Sequence, residues 1–152
     1  MIVERGDPRD PQVTALLHAS HALMESLFPP EDNHYLSIDA LCVPEVHFFA
    51  ARDGDAVLGC GAFKVMGDYG EVKSMFTAEA GRGKGVASAV LNAIEAQARD
   101  LGLKDLKLET GDLLHAAHKL YAKHGFTICG PFGDYTENKS SVFMEKPLSV
   151  AP

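Results

Sequence analysis

Between residues 71 and 101 the periodicity of the chain changes once, and that change constrains the fold more than any other feature. EVKSMFT (71–77) alternates apolar and polar residues, as a strand with two different faces does. AEAGRGKG (78–85) follows, with three glycines within five residues and two basic side chains. From there Val86, Ala87, Val90, Leu91, Ile94 and Ala98 recur at helical spacing until Leu101-Gly102. LKLET (106–110) then reads as another short strand. A strand, a glycine-rich corner, a helix and a strand predict a crossover between parallel strands, right-handed by the general rule.

The segments on either side add to this unit. MIVE reads as a first strand, and Asp10-Pro11 as a helix start, with Val13, Leu16, Leu17, Met24, Leu27 and Phe28 on one face until Pro29-Pro30. A second short helix is expected from about His34 to Leu41. VHFFAARDGDAVLGCGAFKV (46–65) is two strand-like runs joined at Asp53-Gly54, a hairpin by its turn chemistry. Leu113 to Lys123 reads as a helix stopped by Gly125, FTIC as a strand, and SSVFMEKPL as a final strand available as an edge for pairing with a second copy. The fold class expected is α/β (α+β): a mixed, mostly antiparallel sheet of six to seven strands flanked by helices, in a single domain over 1–152.

Charge narrows the function. The formal net charge is −7, from 21 acidic and 14 basic side chains, which argues against broad nucleic-acid binding. A local basic patch for a small anion is still compatible with it. Cys42, Cys60 and Cys129 are widely spaced without a CxxC, and read as reduced thiols of a cytoplasmic protein. No stretch is long and apolar enough for a membrane span, and MIVERGDPRD lacks the apolar core of a signal peptide. His18/His21 and His115/His118 are HxxH pairs, but no nearby Cys or carboxylate completes a ligand set, so no metal is expected.

The glycine corner fails two nucleotide-site patterns. A Walker loop needs Ser or Thr after Gly83-Lys84, where Gly85 stands; a GxGxxG starting at Gly83 would need glycine at Ser88. A more general reading survives. Unpaired N–H groups at the helix start, with Arg82 and Lys84 adding charge, form a cradle for a pyrophosphate. A tight structural turn with solvated basic residues is the competing reading.

Arg82-Gly83-Lys84-Gly85-Val86-Ala87 resembles the pyrophosphate-binding signature of the GCN5-related N-acetyltransferase (GNAT) superfamily. EVKSMFT is similar to that family's central splayed strand, and Leu120-Tyr121-Ala122-Lys123-His124-Gly125-Phe126 to its LYxxxGF motif. The resemblance implies acetyl-CoA as cosubstrate and an N-acetyltransferase working by direct attack of a small-molecule or peptide amine. It also implies a bulge in the splayed strand. Cofactor contacts are then expected at Met75, Phe76, Thr77, Arg82, Gly83, Lys84, Gly85, Val86 and Ala87. Many relatives carry asparagine where this chain has Leu114, seven residues before Tyr121.

Acetyl transfer needs a neutral amine, a stabilised carbonyl oxygen and a protonated leaving thiolate. Backbone N–H groups near the end of the splayed strand serve the second demand. Tyr121 is the candidate general acid; a tyrosine whose hydroxyl is bonded to a carbonyl is the alternative. Glu71 is the candidate base, with a solvated carboxylate after Gly70 as the alternative and Lys73 as an ion-pair partner on the same side of the strand. Glu71 and Met75, four apart, share a side unless a bulge intervenes. His34, Tyr35, Tyr135 and Ser141 lie in segments that can build an acceptor pocket. A non-catalytic acyl-CoA sensor and a homodimer are further possibilities.

Overall fold

The structure is a computed structural model that describes residues 1–148. Seven strands form one sheet in the order β1-β2-β3-β4-β5-β7-β6: β1 (Ile2–Arg5), β2 (Val46–Asp53), β3 (Ala56–Met66), β4 (Tyr69–Thr77), β5 (Asp105–Gly111), β6 (Thr127–Cys129) and β7 (Ser141–Pro147). The helices are α1 (Pro11–Leu27), α2 (Ile38–Leu41), α3 (Val86–Asp100) and α4 (His115–Lys123). All neighbours pair antiparallel except β4 and β5, which are parallel. SVFME is therefore interior: β7 is flanked by β5 and β6, and β6 is the edge on that side. The edge expected to pair with a second copy is covered by β6 at Phe143, Met144 and Glu145.

Two cores cover the two faces of the sheet. Val13, Leu16 and Leu17 of α1 and Leu41 of α2 pack with Phe48, Ala50, Cys60 and Ala62. Val86, Val90, Leu91, Ile94 and Ala98 of α3 pack with Phe49, Ala51, Phe63 and Val72, and Tyr121 of α4 joins them. Phe48/Phe49 and Ala50/Ala51 thus face opposite layers. This is why VHFFAA reads as an unbroken apolar run rather than an alternating one.

Helix α1 starts where its cap dictates. Asp10 accepts from the N–H groups of Gln12 (3.0 Å) and Val13 (3.4 Å), and Pro11 occupies the first turn. The second helix is shorter than expected because Ser37 caps it, accepting from Ala40 N–H at 3.1 Å. His34 is consequently left in a connecting segment, free to line a cavity.

The sheet opens at its centre. The β4–β5 ladder consists of Tyr69, Gly70 and Glu71 against Asp105, Leu106 and Lys107, and goes no further. Beyond Glu71, β4 stays with β3 while β5 follows β7 through Gly111. On β4 the register against β3 slips by one residue between Lys73 and Phe76, and Ser74 takes φ +59°. A non-glycine residue in that left-handed region costs about 1–2 kcal/mol, and Cys60 Sγ donates to the Ser74 carbonyl at 3.3 Å. The bulge reverses the parity of the strand. Met75 packs toward α3, whereas Glu71 lies on the opposite side with Lys73 and Tyr135.

Candidate active site

Two cavities meet at the opening between β4 and β5. The larger, about 730 Å³, runs from the start of α3 to α4. Met75, Phe76, Thr77, Arg82, Gly83, Gly85, Val86 and Ala87 all line it; Lys84, expected with them, does not. Gly85 caps α3 in the left-handed conformation at φ +75°, and no side chain caps the helix. The first-turn N–H groups are left without side-chain acceptors. Gly83 also has φ +76°, and neither glycine has any atom within 4 Å of where a Cβ would be. The corner is open and bounded by backbone, and Arg82 is exposed beside it. An anionic diphosphate fits this chemistry. Leu23, Met24, Leu113, Leu114 and Leu120 give the rest of the groove an apolar wall. Leu114 stands at the N-cap of α4 and provides no side-chain cap, so apolar contact replaces the polar one expected from asparagine.

The smaller cavity, about 130 Å³, lies under α1 and the segment after it. Its polar lining includes Asp32, His34, Tyr35, Lys73, Glu109 and Ser140. Met24, Met75, Leu114, Ala117 and Tyr121 line both cavities, and Tyr121 is the polar side chain among them. It is 6% exposed, and among the described residues its hydroxyl has no hydrogen-bond partner. Burial, reinforced by the nearby Glu109 charge, pushes its pKa well above the ordinary tyrosine value, so the phenol carries its proton at neutral pH.

Glu71 sits elsewhere. It lines neither cavity. Its Oε2 takes the Lys73 ammonium at 2.9 Å and the Tyr135 hydroxyl at 2.5 Å, while Lys73 also donates to Tyr135 Oη at 2.7 Å and to the His34 carbonyl at 3.1 Å. The Glu71 carboxylate is thus held in an internal network that anchors the β6–β7 loop, with Lys73 as its ion-pair partner. The cavity holds two carboxylates that the sequence reading passed over, Asp32 and, at the end of β5, Glu109. Burial raises the Glu109 pKa, partly offset by a hydrogen bond from Ser141 Oγ at 2.7 Å. LKLET gave no local signal, because Glu109 continues the polar alternation begun by Lys107. Of the acceptor candidates, His34 and Tyr35 line the cavity; Tyr135 and Ser141 act behind it, on Glu71 and Glu109.

Neither cysteine nor metal chemistry is assembled here. Burial pushes the Cys60 thiol up to about 12. One histidine of each pair has a structural contact: His118 Nε2 meets the Gly111 carbonyl at 2.8 Å, and the His21 ring stacks on Tyr35 although its Nε2 has no hydrogen-bond partner among the described residues. Among the described residues no group of three or more His, Cys, Asp or Glu is placed to hold a metal ion.

Residues 13–126 match the acetyltransferase (GNAT) family. The chain belongs to that family. This GNAT protein is 40% identical to the "IAA acetyltransferase" of Azospirillum brasilense over 96% of its own length and 97% of the relative's. It is 42% identical to YsnE of Bacillus subtilis (strain 168), an uncharacterised N-acetyltransferase, over 90% of this chain and 93% of that one. A crystal structure from Klebsiella pneumoniae subsp. pneumoniae MGH 78578, assigned as an acyl-CoA N-acyltransferase, superposes with a TM-score of 0.81 at 33% identity, covering 97% of each chain. The splayed sheet, the bulged β4 and the glycine corner of this GNAT chain are therefore the framework of an acetyltransferase.

Proposed function

We propose that this GNAT protein transfers an acetyl group from acetyl-CoA to a primary amine by direct attack, with Glu109 as general base and Tyr121 as general acid. The observation that carries the reading is the hydroxyl of Tyr121, a buried residue whose phenol oxygen has no protein partner among the described residues and lies on the wall common to both cavities. A phenol placed so is a proton donor aimed at the point where cosubstrate and acceptor meet.

Acetyl-CoA, when bound, supplies the activated thioester. The amides at the start of α3 and the Arg82 guanidinium hold the diphosphate, and the apolar groove supports the arm. Past Glu71, the β5-facing edge of β4 has no strand partner. Its backbone donors are thus available to the thioester oxygen as charge develops there. Glu109 takes a proton from the incoming ammonium, and Tyr121 Oη gives one to the sulfur as the C–S bond breaks. A second nitrogen proton restores the phenol.

The base assignment has a pH signature. Glu109 must be ionised to work, so kcat/KM rises as pH passes upward through its pKa. Because burial raises that pKa, the acidic limb lies above the usual carboxylate range. Glu109→Gln is expected to lower kcat/KM by about 10²-fold or more and to abolish the limb. A limb unchanged in Glu109→Gln would assign the proton to another group.

The cradle is tested separately. Gly85→Ala places a methyl in open space but holds φ at +75°, so its effect is conformational. Thermal melts should show a loss of about 1–2 kcal/mol. Calorimetry should show weakened acetyl-CoA binding, because relieving the strain turns the helix-start amides away.

A further inference from the structure

The charge of the smaller cavity is decided by which of its ionised groups are already paired. Lys73 lines it, but an ammonium has three N–H donors, and here they go to Glu71 Oε2, Tyr135 Oη and the His34 carbonyl. None is left for a substrate carboxylate. The acidic groups are in the opposite condition. Asp32 accepts from Ser140 Oγ at 2.7 Å and Glu109 from Ser141 Oγ at 2.7 Å, and among the described residues neither forms an ion pair. A carboxylate offers about four acceptor positions, so each keeps most of its capacity for something in the cavity. Consecutive serines hold the two, and both carboxylates line the same small space. Tyr121, whose hydroxyl has no hydrogen-bond partner among the described residues, lines that space too.

Size gives a second constraint. The volume of about 130 Å³ falls well below the roughly 300–1,000 Å³ of pockets that enclose drug-sized ligands. Phe28, 7% exposed at the end of α1, closes it. Its ring lies against the Gly111 backbone so tightly that a Cβ on Gly111 would fall 2.1 Å from the ring carbon Cζ. The ring cannot retreat past β5, and it sets one end of the cavity.

We infer that the acceptor is a short aliphatic diamine, its reacting nitrogen at Glu109 and Tyr121, its second ammonium on Asp32, and its length limited by Phe28. The inference rests on the acetyl-transfer reading above. A dication supplies both charges that the two unpaired carboxylates lack. An amino acid would instead bring a carboxylate beside two like charges, where among the described residues the one ammonium is fully engaged and the His34 ring is the remaining basic group of the lining. One N–C bond forms as the C–S bond breaks; of the two protons leaving the reacting nitrogen, one ends on sulfur through Tyr121 and one reaches solvent through Glu109. The second ammonium is unchanged.

The test is thiol release by the full chain with acetyl-CoA and a panel of straight-chain α,ω-diamines of increasing length. Monoamines and ω-amino acids of matched length, and a short lysine peptide, complete the panel. The best diamine should exceed its monoamine by about tenfold or more in kcat/KM, and the amino acid by more. Asp32→Asn should lower that diamine-to-monoamine ratio by about tenfold. Phe28→Leu, checked for folding by thermal melt, should move the preferred diamine to a longer chain. Equal or better turnover of monoamine, amino acid or peptide overturns the inference, as does an Asp32→Asn variant that keeps the ratio. Absence of turnover with every diamine also overturns it. In that case calorimetric binding of acetyl-CoA and turnover of the other amines report separately on the acetyl-transfer reading.

Discussion

Tyr121→Phe is expected to lower kcat by about 10²–10³-fold while leaving the calorimetric affinity for acetyl-CoA within about twofold. The substitution removes one oxygen from a side chain whose ring is packed in the α3-side core and makes a tilted contact with Phe126. That oxygen has no protein partner to lose, so no buried group is stranded and the fold is expected to be at least as stable. The rate and the melt therefore separate cleanly. A packed structural tyrosine would have its hydroxyl on a carbonyl, and its phenylalanine variant would lose stability while keeping turnover. Unchanged kcat would remove Tyr121 from the acid role.

The largest stability loss is expected at Glu71, the residue that looked catalytic in the sequence. Glu71→Ala leaves the Lys73 ammonium buried without its carboxylate, and side-chain exposures of 7% and 11% mean that water compensates little. Breaking such a pair from one side costs about 3–5 kcal/mol. The Tyr135 hydroxyl loses its acceptor at the same time, so the β6–β7 loop loses its hold on β4. Urea titration should register the loss as a lower midpoint. Glu71→Gln keeps the volume and a hydrogen-bond acceptor, and should recover part of it. Under conditions where Glu71→Gln is folded, its pH–rate profile should retain the acidic limb that Glu109→Gln abolishes. Loss of that limb in Glu71→Gln would return the base role to Glu71.

The parts of the site that the sequence disclosed are those built from backbone and local order. Gly83 and Gly85 announce positive φ before a helix, and Leu120 to Phe126 is a single helix end, so both are readable in a few consecutive residues. The acceptor side is made differently. Tyr135 meets Glu71 across 64 positions, and Ser140 meets Asp32 across 108. No window of neighbouring residues contains those pairs. The parity of β4 was conditional on a bulge, whose position only the pairing partners reveal. Period-two counting puts Glu71 and Met75 on one side, but Ser74 takes one extra position in the ladder and moves Met75 across. The bulge itself was expected from the resemblance; its consequence for Glu71 needed the pairing partners. The edge status assigned to SVFME failed because a three-residue strand, Thr127–Cys129, was enough to cover it.

The short parallel ladder between β4 and β5 has a mechanical meaning. Three residue pairs stitch the β1–β4 half of the sheet to the β5–β7–β6 half, while the neighbouring β3–β4 and β5–β7 ladders run nearly the length of their strands. The seam is a short junction between two longer-laddered halves of the plate. A molecule wedged along it touches β4 on one bank and α4 on the other, and so acts as the missing rivets. Occupancy of the seam is therefore expected to stiffen the whole plate, as any molecule that binds only the folded form stabilises it.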